Sequence, residues 1–168
     1  MKLAYPIGTP DTRNKMLAYT GDLPSMLDEL KGIGYAGLEL FVRDPLDMDR
    51  AAFAREIGRR AFAIAAVGTG PVAGEDKLTF TDLDASVRRA AVDRAKAVAD
   101  FAAEFGSQVN VGKLRGDIRA GREAESWQWM KEAFVELGDY AARRGVPVTL
   151  EPQNQFVINN LNSTQQAL

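Results

Sequence analysis

The sequence predicts an α/β fold with a parallel sheet and helices outside it. Short apolar runs read as strands at 3–7, 37–42, 61–67, 108–111 and 148–150. Between them lie segments with apolar residues three and four apart, the spacing of amphipathic helices. The runs are continuously apolar, as in strands covered on both faces by helices. Two architectures fit: an open doubly wound sheet and a closed (β/α)8 barrel.

Leu3 to Ile7 is the first strand, ended by Gly8, Thr9 and Pro10, and residues 11–20 read as a polar loop. Asp22 is a helix N-cap with Pro24 tolerated in the first turn. Leu23, Met26, Leu27, Leu30 and Ile33 form the helical stripe, and Gly34 stops it. Gly37 to Val42 is the second strand, with Glu39 among apolar neighbours and Arg43, Asp44 and Pro45 as the exit. Residues 49–60 read as a helix with Phe53 and Ile57 on one face. Ala61 to Val67 is a third, fully apolar strand running into the turn Gly68-Thr69-Gly70-Pro71, and a loop is expected from there to Thr81.

Asp82 to Phe105 reads as a long alanine-rich helix with Val87, Ala91, Val98, Phe101 and Phe105 inward, stopped by Gly106. Gln108 to Val111 is the fourth strand. Ser126 is the expected cap of the next helix, whose stripe is Trp127, Met130, Phe134, Leu137 and Ala141. Val148 to Leu150 is the fifth strand, closed by Pro152, which has no N–H for a ladder. Ser163 and Gln166 make a capping box for a last helix that runs little more than one turn to Leu168. A nucleus without propagation is unfavourable. The expectation is therefore a barrel truncated to about five β/α units, because a closed one needs eight strands and about 250 residues.

Composition bounds the chemistry. The 168 residues suit one domain with a real core. A net charge of −2 makes no electrostatic case for nucleic acid or an anionic membrane. No apolar run approaches the roughly 20 residues that cross a bilayer, and the N-terminal run is too short for a secretory signal. The cytoplasm is the default location. There is no cysteine and no histidine, which removes thiolate chemistry, Ser-His-Asp and Cys-His arrangements and histidine-held zinc. Acid–base work falls to carboxylate, lysine or tyrosine. A metal would need oxygen ligands, which favours magnesium, manganese or calcium.

Two glycine motifs fail. Gly68-Thr69-Gly70 has Ala73 where a dinucleotide fingerprint needs its third glycine, and no helix is expected to open there. Gly106 to Lys113 has the wrong glycine spacing and Leu114 in place of the Ser or Thr of a phosphate loop. What remains is a ring of polar groups at strand carboxyl ends: Glu39 and Arg43, Thr69, Lys113 and Arg115, Glu151 and Asn154. In a parallel barrel these ends converge on one face, where chemistry is done. Each alone reads equally as a rim salt bridge or, for Glu151, as a loop cap.

Certain stretches resemble a known family in their order and spacing. They are GDL at Gly21, GY and ELFVRDP between Gly34 and Pro45, and AAVGTG ending at Gly70. LTFTDLDASVRRAAVDRA from Leu78, NVGKLRG from Asn110, and LEPQN with LNSTQQAL at the end complete the set. The chain resembles the sugar isomerase and epimerase family with the xylose-isomerase-like TIM barrel, and most nearly its 5-keto-L-gluconate epimerase type. The likeness spans the whole chain and the first five-eighths of the barrel.

The resemblance implies a divalent metal, manganese or magnesium, with Glu151 as first ligand and as one of two acid–base glutamates. The other ligands, an aspartate, a histidine and a second glutamate, belong to later strands. It implies proton transfer through an enediolate on a sugar or keto-sugar acid. Arg115 matches an arginine that would hold substrate oxygens, Glu39 an acidic position that contacts substrate or pairs in the core, and Asn154 a polar position after the glutamate. Thr69 and Lys113 complete the expected substrate contacts. Gln155, Phe156 and Val157 depart from the arginine, tyrosine and glutamate of the family pattern. A chain with one of these ligands is expected to be inactive alone. Its alternative is a non-catalytic half-barrel that assembles with itself or a partner, including as a homo-oligomer. Abasic-site endonucleases share the barrel, but their histidine-rich zinc cluster and basic surface are absent.

Overall fold

The computed structural model describes residues 1–13 and 18–168, so the loop expected over 11–20 lies partly outside the described residues. Five strands form one sheet: β1 (Ala4–Gly8), β2 (Gly37–Phe41), β3 (Ala63–Gly68), β4 (Val109–Val111) and β5 (Val148–Leu150). Every neighbouring pair is parallel, and the spatial order is the chain order, β1-β2-β3-β4-β5. A doubly wound sheet reverses its order at a switch point. This sheet winds one way throughout, which is the barrel topology, carried here through five strands.

The connecting helices are α1 (Leu23–Ile33), α2 (Arg50–Arg59), α3 (Gly70–Asp76), α4 (Ala85–Ala103) and α5 (Glu123–Ala142), with a 3-10 turn at Lys113–Arg115 and a last short helix, α6 (Thr164–Ala167). Local chemistry sets their ends. The carboxylates of Asp22, Asp49 and Asp84 accept hydrogen bonds from the backbone N–H groups of Ser25, Ala52 and Ser86 at 3.2, 2.8 and 2.7 Å. Each such cap is worth about 1 kcal/mol. Gly34 ends α1 in the left-handed region at φ 106°, which its missing Cβ permits.

One face of the sheet packs on the helices. Leu38, Leu40, Val67, Val109 and Val111 are fully buried against Leu27 and Leu30 of α1, Phe53 and Ile57 of α2, Val98 and Phe101 of α4, and Leu137 of α5. Phe101 lies between Phe53 and Phe105, with ring centroids 6.0 and 5.2 Å away. The other face, the concave one of a barrel, carries Glu39, Phe41, Asn110 and Thr149 and is only partly covered.

Several expectations change. Strand β3 is not buried throughout: Ala63 and Ala65 are exposed, because they lie on the concave face. Strand β5 is half-buried, as an edge strand of the sheet. A helix does open after Thr69, where a loop was expected; Pro71 fits its first turn and Val72 and Ala73 are buried beneath it. Ala73 still denies the dinucleotide fingerprint its third glycine. Helix α5 begins at Glu123, so Ser126 lies inside it. The Ser126 hydroxyl donates to the Arg122 carbonyl at 2.8 Å and accepts from the Arg119 N–H at 3.1 Å. Trp127 is 45% exposed and leaves the core stripe. Ser163 caps α6 as expected, but the Gln166 side chain reaches back to the N–H of Asn162, one residue earlier than a capping box requires.

Candidate active site

The carboxyl ends of β2 to β5 surround a cavity of about 510 Å³. Of the residues singled out in the sequence, Glu39, Thr69, Lys113 and Glu151 line it together. Phe41, Lys77, Asn110, Gly112 and Gln153 join them.

Glu39 enters from the middle of β2. The period-2 alternation puts Leu38 and Leu40 on the helix side and Glu39 on the concave side. Burial and the nearby Glu151 carboxylate push its carboxyl above the usual range, and a hydrogen bond with the Asn110 side chain opposes that shift. Gly68 on β3 lies beside it: a Cβ there would stand 3.6 Å from Glu39 Oε1, in ordinary van der Waals contact. Thr69 is buried, and its hydroxyl donates to the Asn110 carbonyl at 3.0 Å, tying the ends of β3 and β4.

Glu151 follows β5, and its N–H donates to the Val111 carbonyl at 3.1 Å, continuing the ladder one residue beyond the strand. The Gln153 side-chain amide donates to Glu151 Oε2 at 3.2 Å. Gly112 is cut to this pair, because a Cβ on it would fall 2.8 Å from Glu151 Oε2 and 2.7 Å from Gln153 Nε2.

The remaining members of the ring do not line the cavity. Arg115 is fully buried. Its Nε donates to Asn160 Oδ1 at 3.0 Å, Nη1 to the carbonyls of Gly112 and Glu151 at 2.9 and 2.8 Å, and Nη2 to those of Asn160 and Leu161 at 3.1 and 3.4 Å. These bonds use all five guanidinium donors. Burial lowers its pKa, with Glu151 and Asp117 acting against that. Asn154 is exposed and closes its own turn, its Oδ1 accepting from the Phe156 N–H at 3.0 Å. Arg43 is buried in an ion cluster: its Nε donates to the Asp11 carbonyl at 2.8 Å, and its guanidinium meets Asp76 at 3.2 Å and Asp47. Asp76 also binds Arg94 at 2.7 Å.

The sequence reading passed over Lys77, Asn110 and Gln153. Asn110 had a signal, a polar residue between two valines of a short strand. Gln153 had another, its place two residues after Glu151. Lys77 had none, because the helix that presents it was read as loop. Among the described residues no three His, Cys, Asp or Glu side chains gather to hold a metal ion. The described residues therefore do not fit a complete metal centre; Glu151 would offer one ligand of such a centre. Among them, too, no helix is long and apolar enough to cross a membrane.

A family described as "Xylose isomerase-like TIM barrel" matches residues 27–168. No curated protein matches the chain. Among solved structures, D-allulose 3-epimerase from Methylomonas sp. in complex with D-allulose superposes with a TM-score of 0.71 at 18% identity over 99% of this chain. A 3-keto-D-glucoside 4-epimerase from E. coli gives 0.67 at 15% identity over 92%. An AP endonuclease, family 2, from Brucella melitensis gives 0.66 at 17% over 93%. The chain spans 57% of each of these three proteins.

Proposed function

The chain belongs to the xylose isomerase-like TIM barrel family, and we propose that it carries the β2 to β5 part of the active site of a sugar or keto-sugar acid isomerase or epimerase. The observation that carries this reading is the convergence of Glu39, Thr69, Lys113 and Glu151 on one cavity at the strand carboxyl ends. Two of the superposing structures are epimerases of sugars.

Glu151 is assigned proton transfer at the carbon next to a carbonyl. Removing that proton leaves an enediolate, and donors around it must hold the negative charge. The Lys113 ammonium and the Asn110 amide are the donors on this side. Glu39 and the oxygen of Thr69 accept hydrogen bonds from substrate hydroxyls. Arg115 works through Glu151: its bonds to the carbonyls of Gly112 and Glu151 hold the segment that bears the carboxylate. The divalent metal that the family implies would take Glu151 as one ligand, and the chemistry assigned to this chain's own residues stops at binding and proton transfer. Glu39 is assigned hydrogen bonding and not proton transfer, which leaves Glu151 to serve one face of the substrate, so the 168-residue chain alone is assigned no turnover.

The test is calorimetric titration of ketohexoses and 5-ketogluconate into the chain, followed by incubation with manganese. Binding is expected, with Glu151→Ala weakening it, and no epimer is expected. Absence of sugar binding overturns the site, and turnover overturns the assigned inactivity.

A second reading, a non-catalytic half-barrel that self-assembles, rests on the outer edge of β5, which no described strand pairs; the outer edge of β1 is bridged by Tyr19. Unpaired edges are templates for strand addition. A discrete dimer in light scattering, with no sugar binding, would favour it.

A further inference from the structure

We propose that the outer face of α5 is an interface between two copies of this chain, packed antiparallel about a two-fold axis at Val135. The proposal is independent of the sugar-site reading and uses a different surface from the β5 edge.

Side chains four apart form a ridge along a helix. On α5 one such ridge runs Trp127, Lys131, Val135, Asp139 and Arg143, the last continuing the helical turn as the C-cap. All five are exposed, Val135 by 56% and Trp127 by 45%. The buried residues Met130, Ala133, Leu137 and Ala141 lie on the opposite side of the helix. Two exposed apolar side chains alone decide little, because single ones are common on surfaces. The charges decide more.

The charges of α5 differ by side. Toward α4 they are matched: Glu136 meets Arg89 and Lys96, and Arg144, just beyond the helix, meets Asp100. On the outward ridge they are not. Among the described residues, Lys131, Asp139 and Arg143 are in no ion pair and no side-chain hydrogen bond. Lys131 and Asp139 cannot reach each other, being eight residues and about 12 Å apart along the axis.

A second copy matches them. In the commonest class of helix packing, ridges of this kind lie alongside one another. A two-fold axis at Val135 reverses the second ridge, so residues equally far before and after Val135 meet. Val135 then faces the partner's Val135, Lys131 faces the partner's Asp139, and Trp127 faces the partner's Arg143, a cation–aromatic pair. Each charged contact occurs twice, as in any isologous interface. A parallel pair would set lysine on lysine and aspartate on aspartate, so the charge order selects the antiparallel one. No residue of α5 lines the cavity, so the interface leaves the sugar site free. One helix pair buries less than the roughly 1,200 Å² of stable interfaces, so the dimer dissociates on dilution.

The experiment is sedimentation equilibrium over a range of concentrations. It is run on the full chain, Lys131→Glu, Asp139→Lys, the double reversal, Val135→Glu, and Arg55→Glu on the exposed surface of α2 as control. Circular dichroism checks that each variant is folded. The parent is expected to show a monomer–dimer equilibrium. Each single reversal sets like charges together at two places and is expected to raise the dissociation constant at least about tenfold. The double reversal returns it to within about threefold of the parent. An equimolar mixture of the two single variants dimerises, because every charged contact across that pair is again attractive. Val135→Glu leaves monomer, and Arg55→Glu changes nothing. A parent that is monomeric at every concentration overturns the proposal. So does a dimer that survives the reversals and Val135→Glu, which would move the interface to the β5 edge. Single reversals whose effect the double reversal and the mixture fail to undo overturn the antiparallel pairing.

Discussion

Arg115 Nη1 donates to the backbone carbonyl of Glu151 at 2.8 Å, from a side chain with no exposure to solvent. The same nitrogen bonds the Gly112 carbonyl, and Nη2 reaches Asn160 and Leu161. One buried guanidinium thus joins the end of β4, the end of β5 and the loop that follows. Arg115→Met is expected to lower stability by about 3 kcal/mol or more, because several buried carbonyls lose a charged donor. Urea unfolding of variant and parent measures it. Arg115→Lys is expected to rescue only part, since an ammonium cannot span the fork.

Gly112 makes room for the Glu151 and Gln153 side chains. Gly112→Ala is expected to displace them, both being flexible at their ends, at a stability cost of about 1 kcal/mol. Sugar binding should fall by roughly tenfold or more, since small misplacements in a site are costly. Calorimetry with the sugar that the parent chain binds best checks it, and unchanged affinity would show that Glu151 does not contact ligand.

Asp76 joins two guanidiniums, meeting Arg43 at 3.2 Å and Arg94 at 2.7 Å. Its side chain is 18% exposed and that of Arg43 is 6% exposed. Asp76→Asn leaves Arg43 with Asp47 and Arg94 with Asp44, so the loss is that of the charge-assisted hydrogen bonds to Asp76, about 2 kcal/mol of stability. Thermal melts of variant and parent measure it.

Glu136 on α5 meets Arg89 of α4 at 2.8 Å and also Lys96. Hydrogen bonds from Arg89 and then Lys96 hold its pKa down at about 2. The unfolded chain takes up this proton first, so the contribution is present above the ordinary glutamate range and is lost as pH falls through about 2. Glu136 is 42% exposed, so solvent screening keeps the effect near 1 kcal/mol or less. Glu136→Gln should flatten that part of the acid unfolding curve, measured by circular dichroism between neutral and low pH.

The legibility of the chain varied by element. The strands over 37–42 and 148–150 were readable from their apolar runs, and α1 from its stripe and the Asp22 and Gly34 caps. Each is a local signal, carried by hydrogen bonds and side-chain spacing within a few residues. Helix α3 was hidden, because seven residues are too few for a periodic pattern to exceed the turn signals of Gly68, Gly70 and Pro71. Trp127 was read as core because spacing gives the face of a helix but not its rotation against a neighbour.

The site divides in the same way. Alternation alone placed Glu39 opposite Leu38 and Leu40, and Pro152 alone placed Glu151 at a strand end. Their meeting with Lys77 and Asn110 was a matter of tertiary structure, because it depends on strand register and on which loops pack together. So was the burial of Arg115: an arginine after a strand reads as a ligand-facing charge until the carbonyls of two distant segments, at Glu151 and at Asn160 and Leu161, join that of Gly112 around it. A sequence records which groups are available and which face of a local element they take. Their partners come from contacts tens of residues apart, such as Arg115 to Asn160, and these exist only once the sheet has formed beneath them.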